Sequence, residues 1–454
     1  MSSPRHGGVT GVLSRQHLLS LYLPALIMSL GTGIIAPVLP AFARSFGVDF
    51  VVAAQVLFVH QAGALVVVAP IGYLIDRVGR RPLLLAGPPL LGVCAAATGL
   101  AGSFPELLLY RFLAGAANQL WWEARLAIIA DTAEPNQRAR LITWMVGLQR
   151  AGMLLGPLLG GFLAAWLGLR WPFFLYGLLT ALAVIPSVRL VKETAPHLVT
   201  RAEPSGAVTL PEPVEGPEGG SPWPEAVPEA LEGLEGRRDA AAPAVAQPSN
   251  LGGWRPVLSV LLTLQMMTFL CVQFFATVCR GGLESGTLNL YAVYAYNTPP
   301  HVLGLLSTAA AMVTLPIPFI TGHLMDRHGR KSIVVPGFAT FAASLVAMAA
   351  SAFLALPFEG YVAAYLLVNA TVSVTSGTMQ VLGADLAPAF ARGRFFSIWR
   401  LVSSSGSALS PVLFAAVAGG ISYGAAFLTF SAAALAVALL VGIVLTETGR
   451  PSHG

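Results

Sequence analysis

Gly72-Tyr-Leu-Ile-Asp76-Arg77-Val-Gly79-Arg80-Arg81 returns further along the chain as Gly322-His-Leu-Met-Asp326-Arg327-His-Gly329-Arg330-Lys331. Glycine, aspartate and arginine at the same spacing twice over mark an internal repeat, which governs how the rest of the chain is read. Further on, Asp131, Arg138 and Arg140 match Asp385, Arg392 and Arg394, while Gly152 matches Gly406 and Pro157 matches Pro411. The chain is two related halves.

The residues around each copy are overwhelmingly apolar. The 454 residues are 55% hydrophobic and only 10% charged, with a mean hydropathy of +0.72. A soluble protein needs roughly 25% charged residues to cover its surface. A soluble enzyme, a disordered chain and a nucleic-acid binder are therefore excluded as readings of the whole. The net charge of +5 comes from scattered arginines, with no basic patch interleaved with aromatics. Cys94, Cys271 and Cys279 sit inside apolar runs, where they fill space and imply neither a disulfide framework nor a metal site. No cofactor is implied.

Crossing a bilayer takes about 20 mostly apolar residues. Such segments begin near Leu18, Val51, Pro82, Pro105, Leu141 and Pro172, then near Val257, His301, Ser332, Phe358, Phe395 and Ser422. Sustained alternation is absent, so the sequence predicts twelve helical spans and an all-α membrane protein. The first run is too long for a signal peptide and lacks a small-residue cleavage site, so it is expected to stay as span 1. Arg77, Arg80, Arg81, Arg138, Arg140, Arg327, Arg330, Lys331, Arg392 and Arg394 fall in one set of loops. The other set holds only Arg44 and Arg170, which predicts both termini on the cytoplasmic side. Residues 192–253 are rich in Pro, Gly, Ala and Glu and read as a disordered cytoplasmic linker. It separates a bundle at 1–191 from a bundle at 254–454.

The repeated decapeptide resembles the G-x-x-x-D-R-x-G-R-R/K signature of the major facilitator superfamily of secondary transporters. Arg111-Phe-Leu-Ala-Gly115 resembles that family's R-x-x-x-G element. Gly152-Met-Leu-Leu-Gly156-Pro157-Leu-Leu-Gly160-Gly161 resembles the G-x-x-x-G-P-x-x-G-G element of twelve-helix drug–proton antiporters, with Thr143 where an earlier glycine is usual. Gly33-Ile-Ile-Ala-Pro37-Val-Leu-Pro40 also resembles those exporters. The resemblance implies two pseudo-symmetric six-helix bundles with a substrate site between them near the midplane. It also implies that Gly72, Asp76, Arg77, Gly79 and Arg80, with Gly322, Asp326, Arg327, Gly329 and Arg330, latch the cytoplasmic side shut in the outward-facing state. On their own, the glycines would let helices approach and the arginines would fix topology.

Charged groups inside spans cost several kcal/mol unless paired or hydrated, so they mark function. Span 4 carries Arg111, Asn118, Gln119, Trp121, Trp122, Glu123 and Arg125, and span 5 carries Arg150. Glu123 lies roughly 12 Å and Arg150 about 15 Å from the cytoplasmic helix ends, a depth at which they could pair. Span 7 carries Arg280 and Glu284 on one face, and Gly281, Gly282 and Gly286 predict an irregularity there. Asn369, Ser373 and Ser376 form a polar stripe on span 10, while Arg400 on span 11 is positioned to snorkel to headgroups. Glu123 and Glu284 are the candidates for proton coupling. Asn118, Gln119, Trp121, Trp122, Arg280, Asn369, Ser373 and Ser376 are candidates for the substrate cavity, and Arg111, Arg125 and Arg150 for charge partners.

The partners expected are the bilayer, a small-molecule substrate and protons, with no nucleic acid, in the cell membrane. The expected function is proton-coupled efflux of small drug-like organic compounds. The alternatives are proton-coupled uptake of a sugar or other metabolite and, more remotely, a non-transporting membrane sensor. Enzymatic activity has no support, because the chain carries no P-loop, nucleophile elbow or metal-ligand cluster.

Overall fold

The computed structural model describes residues 22–132, 135–190, 263–386 and 392–444, which are helical almost throughout, with no strand among them. The predicted linker, the boundaries beside it and both termini lie outside these residues. So do the surroundings of Gly72 and the side chains of Asp76, Asp131, Asp326, Asp385, Arg138, Arg140, Arg392 and Arg394.

Among the described residues, ten segments are long and apolar enough to cross a membrane. Span 1 is Leu23–Ile35 continued by Leu39–Arg44, and span 4 is Phe104–Thr132, whose charges keep it off that count. Spans 2, 3, 5 and 6 are Phe50–Val78, Arg80–Leu100, Pro135–Leu167 and Trp171–Leu190. Span 7 is Leu264–Gly282 extended through Leu288–Tyr296, and span 8 is Pro300–Thr314 with Ile317–His328. Lys331–Phe353, Phe358–Leu386, Arg392–Gly420 and Tyr423–Val444 are spans 9 to 12. Spans 1 to 6 pack together as one bundle and 7 to 12 as another.

Local sequence explains the irregularities. Pro37 and Pro40 break span 1, since each lacks an N–H to continue the helical ladder. Pro316 and Pro318 interrupt span 8 in the same way. Span 7 passes through a single π-helical turn, Leu283–Thr287, in which Gly286 takes φ 116°. That is the expected irregularity, made possible by a residue without a Cβ.

The repeated motif folds the same way twice. Gly79 adopts φ 99°, ψ 164° and Gly329 φ 93°, ψ 161°, a region essentially closed to other residues. Each donates its N–H to the carbonyl four residues earlier, Ile75 and Met325, at 3.1 Å. This joins two spans with almost no loop. A different expectation for the motif needs correcting. A Cβ on Gly322 would meet nothing within 4 Å, so in this conformation that glycine does not serve close helix packing.

The periphery suits lipid. Large apolar side chains such as Val93, Trp166, Phe319 and Ile443 point outward at 67–80% exposure, a surface that would aggregate in water. The bundles meet through spans 5 and 8, spans 2 and 11, and the ends of spans 1 and 7. Near the loops that follow spans 1 and 7, Arg44 donates to the Val293 carbonyl and to Asn297 Oδ1, both at 2.5 Å. Tyr294 donates to the Val48 carbonyl at 2.7 Å, and Phe50 packs edge-on against Tyr294 and Tyr423. This end of the molecule is sealed.

Candidate functional site

A cavity of about 530 Å³ lies between the bundles. Span 1 contributes Met28, Ser29 and Thr32, span 4 Asn118, Trp121 and Trp122, and span 5 Gln149, Arg150 and Met153. From the other half come Glu284, Thr314, Asn369, Val372, Ser373 and Ser376. It continues into a chamber of about 230 Å³ that shares Arg150, Met153, Glu284, Thr314 and Asn369. Six of the eight predicted cavity residues meet here.

The other two, Gln119 and Arg280, do not. They line a separate cavity of about 250 Å³ with Gln61, Thr277, Ser403 and Ser407. Residue 119 is turned about 100° from 118 on the helix and shares its side with Glu123 one turn on, so one helix serves two chambers. Gln119 Nε2 donates to Glu123 Oε1 at 2.6 Å.

Span 5 lies unusually close to its neighbours, and its glycines explain this. A Cβ on Gly156 would sit 2.5 Å from the Leu30 carbonyl oxygen and 2.7 Å from the Gly33 Cα. Gly152 and Gly160 press on span 1 in the same manner, at Ser29, Leu30 and Ile34. Gly161 faces the opposite way, onto the backbone of Pro300 and His301 in span 8. A Cβ on Gly304 of span 8 would sit 2.4 Å from the Pro157 carbonyl oxygen, and Thr308 donates to the Leu154 carbonyl at 3.2 Å. The motif therefore carries packing within one bundle and contact between the two.

The charge pairing differs from expectation at Glu123. Its partner is Arg400 of span 11, with Nη2 2.6 Å from Oε1 and Nη1 3.1 Å from Oε2. Glu123 does not pair with Arg150, and Arg400 turns into the protein rather than out to headgroups. This bidentate bridge crosses between the bundles. Glu284 lies 3.1 Å from Arg280 Nε, one turn earlier on the same helix. Arg150 is within electrostatic reach of Glu284 across the cavity.

Arg125 is 1% exposed. Its guanidinium lies 4.1 Å from the Trp121 ring centre and 4.7 Å from that of Trp122, and none of its nitrogens has a hydrogen-bond partner. Trp122 thus faces the cavity, and with the buried Trp121 it holds a cation behind the wall. Arg111 lies nearer the N-terminal end of span 4, where its carbonyl is 3.3 Å from His60 Nδ1 and its own Nε is buried without a hydrogen bond. Sequence reasoning overlooked Arg44 as a seal and Gln149, Thr314 and Thr32 as lining, because an isolated polar residue in a span carries no signal of its azimuth.

Two pseudo-symmetric six-helix bundles around a polar, arginine-bearing cavity define the class: a multi-pass membrane protein with its site at the bundle interface. The chain belongs to the Major Facilitator Superfamily, whose sequence profile matches residues 21–278 and again 269–454. That family and its solved members are membrane transporters, not enzymes.

A D-xylose-proton symporter structure superposes with a TM-score of 0.70 at 15% identity, covering 96% of this chain and 99% of that one. An inward-open xylose transporter from E. coli gives 0.69 at 16% identity, covering 96% and 97%. At such identity the likeness is one of fold. By sequence, the chain is 29% identical over 176 residues to the quinolone resistance protein NorA of Staphylococcus aureus strain MRSA252, covering 38% of this chain. It is 26% identical over 165 residues to Multidrug resistance protein 2 of Bacillus subtilis strain 168, covering 36% of this chain. These matches span 44% and 41% of the length of those relatives.

Proposed function

We propose that this protein exports small, drug-like organic compounds across the plasma membrane in exchange for protons, by alternating access with both termini cytoplasmic. The observation that carries the reading is the Glu123–Arg400 bridge. Its two residues belong to different bundles, so rocking one bundle against the other makes or breaks it. A contact present in one state alone biases the equilibrium between states. Once Arg400 withdraws, Glu123 is left in a poorly hydrated wall and takes up a proton; when Arg400 returns, the proton leaves. Glu123 also follows the Trp121–Trp122 wall directly in sequence, which links the proton to the cargo.

Export rather than uptake is supported by the likeness to NorA and Multidrug resistance protein 2, together with the glycine–proline element of span 5. The sealed end, which carries the Arg44 contacts, belongs to the outer side in this reading, and the cavity opens to the cytoplasm. The decapeptide copies then act in the opposite state, when the cytoplasmic ends close and Gly322 gains a neighbour.

Everted membrane vesicles test this with a substrate panel, with and without a proton gradient. Glu123→Gln should abolish gradient-driven accumulation while substrate counterflow persists. Accumulation with an unchanged pH dependence in Glu123→Gln would refute the coupling role.

A further inference from the structure

We propose that the central cavity selects organic anions: aromatic compounds whose single negative charge meets Arg150 while the ring lies on Trp122. The proposal deepens the transport reading and rests on it, adding the charge of the cargo.

The charges around the cavity do not balance. Among the described residues lining the two joined chambers, the groups that carry full charge are Arg150 and Glu284. Glu284 is already opposed by Arg280 at 3.1 Å. Glu123, beside the tryptophan wall, is held at both oxygens by Arg400. Each carboxylate near the cavity therefore has an arginine of its own. Arg150 has no such partner: it makes no ion pair within 4 Å among the described residues, and the nearby Glu284 is shared with Arg280.

A second, independent cation stands behind the aromatic wall. Arg125 is buried, and its three nitrogens lack any hydrogen-bond acceptor. The two indoles stabilise it by cation–π contact but do not cancel its charge. Two uncompensated guanidinium groups on one side of a low-dielectric cavity repel a cation and attract an anion. Arg150 presents a planar fork that matches a carboxylate or sulfonate with two parallel hydrogen bonds. The half-buried Trp122 supplies stacking area for a ring, and Asn118 and Asn369 serve its other polar groups.

Three ligands built on one ring system separate charge from shape: 2-naphthoate, 2-naphthamide and 2-naphthylmethylamine, the last cationic at neutral pH. Binding of each to the purified full chain in lipid nanodiscs is measured by equilibrium dialysis. Naphthoate should bind at least tenfold more tightly than the amide, and the amine most weakly. Arg150→Gln should bring naphthoate down to the level of the amide and leave the amide itself unchanged, with Arg150→Lys falling between. The proposal is overturned if the amine binds as well as naphthoate, if Arg150→Gln weakens all three equally, or if no member binds. Dialysis involves neither gradient nor direction, so a failure of the export reading leaves its result standing. Conversely, vesicles that export cationic compounds while naphthoate fails to bind would sink the charge assignment alone.

Discussion

Span 5 against span 1 and span 11 against span 7 are the same contact by pseudo-symmetry, yet the room for it comes from different places. In the first half the glycines are on span 5, where Gly152, Gly156 and Gly160 lie on the backbone of span 1. In the second, only Gly406 survives of the three, and Ser410 and Phe414 occupy the other two positions. There the glycines have moved to span 7: a Cβ on Gly281 would sit 2.5 Å from Ser407 Oγ, and one on Gly282 2.5 Å from Ser410 Oγ. Ser410 also bridges the pair, donating to the Val278 carbonyl and accepting from the Gly282 N–H at 2.7 Å. The first contact is backbone on backbone and cannot yield. At Gly282 the second rests on the Ser410 hydroxyl, which can be trimmed. The carboxylates differ in a parallel way, since Glu123 reaches across to the other bundle while Glu284 pairs within its own helix.

Exchanging residues between the halves breaks the comparison most sharply. Gly160→Phe, which installs the residue of the second half, should leave no monodisperse protein on size exclusion, because Ile34 backbone occupies the space. The next largest effect separates the carboxylates. Glu123→Gln should reduce gradient-driven transport at least a hundredfold, whereas Glu284→Gln, whose pair stays intact through rocking, should remain within tenfold of normal; the reverse ranking in vesicles would transfer the coupling role. Third, Gly282→Ala should destabilise by about 1–3 kcal/mol as an overpacking change, and Ser410→Gly should restore part of the lost melting temperature. A similar rescue of Gly156→Ala by trimming Leu30 should fail, since the obstacle there is a carbonyl.

The two copies of the motif offer a subtler comparison. Asp76→Asn should shift the protein toward cytoplasm-open states with expression unchanged, read as altered cysteine labelling from each side; unchanged labelling would reduce that copy to a topology signal. Smallest of all, deleting most of the segment from Glu203 to Pro243, whose Pro-, Gly- and Glu-rich composition predicts a flexible linker, should keep transport within a few-fold, because such a linker only has to span the bundles. Loss of assembled protein on deletion would mean that the segment docks.

The fold was legible because its determinants are local or repeated. Gly79 and Gly329 announce the same tight junction twice, and each apolar run carries its own length. The site was legible in depth but not in azimuth. Arg150 and Arg400 are candidates at neighbouring heights, since the repeat sets Arg400 one turn closer to the cytoplasm than the position equivalent to Arg150. Sequence distance alone gives no reason to prefer a partner in the other bundle over one on the next helix. Gln119 and Arg280 were misplaced for the same reason, because rotation about a helix axis is settled by packing. Span 7 was the exception: its three glycines weaken the helix wherever it packs, so the break near Gly286 could be read directly.

Span 4 also has a history before the protein is finished. With Arg111, Glu123 and Arg125 in its length, Phe104–Thr132 does not meet the apolar threshold that ten other segments meet. A charged residue at the centre of a helix costs about 2.5–3.5 kcal/mol on the translocon insertion scale, and three of them outweigh the leucines around them. This helix is therefore expected to leave the translocon for lipid poorly as an independent unit. It must wait at the protein-conducting pore until spans 2 and 3, against which it packs, stand ready to shield it. Arg400, which neutralises Glu123, is made some 277 residues later, so the nascent first bundle holds the Glu123 carboxylate without its cation until synthesis is nearly complete. Biogenesis, not only transport, depends on where that pair closes.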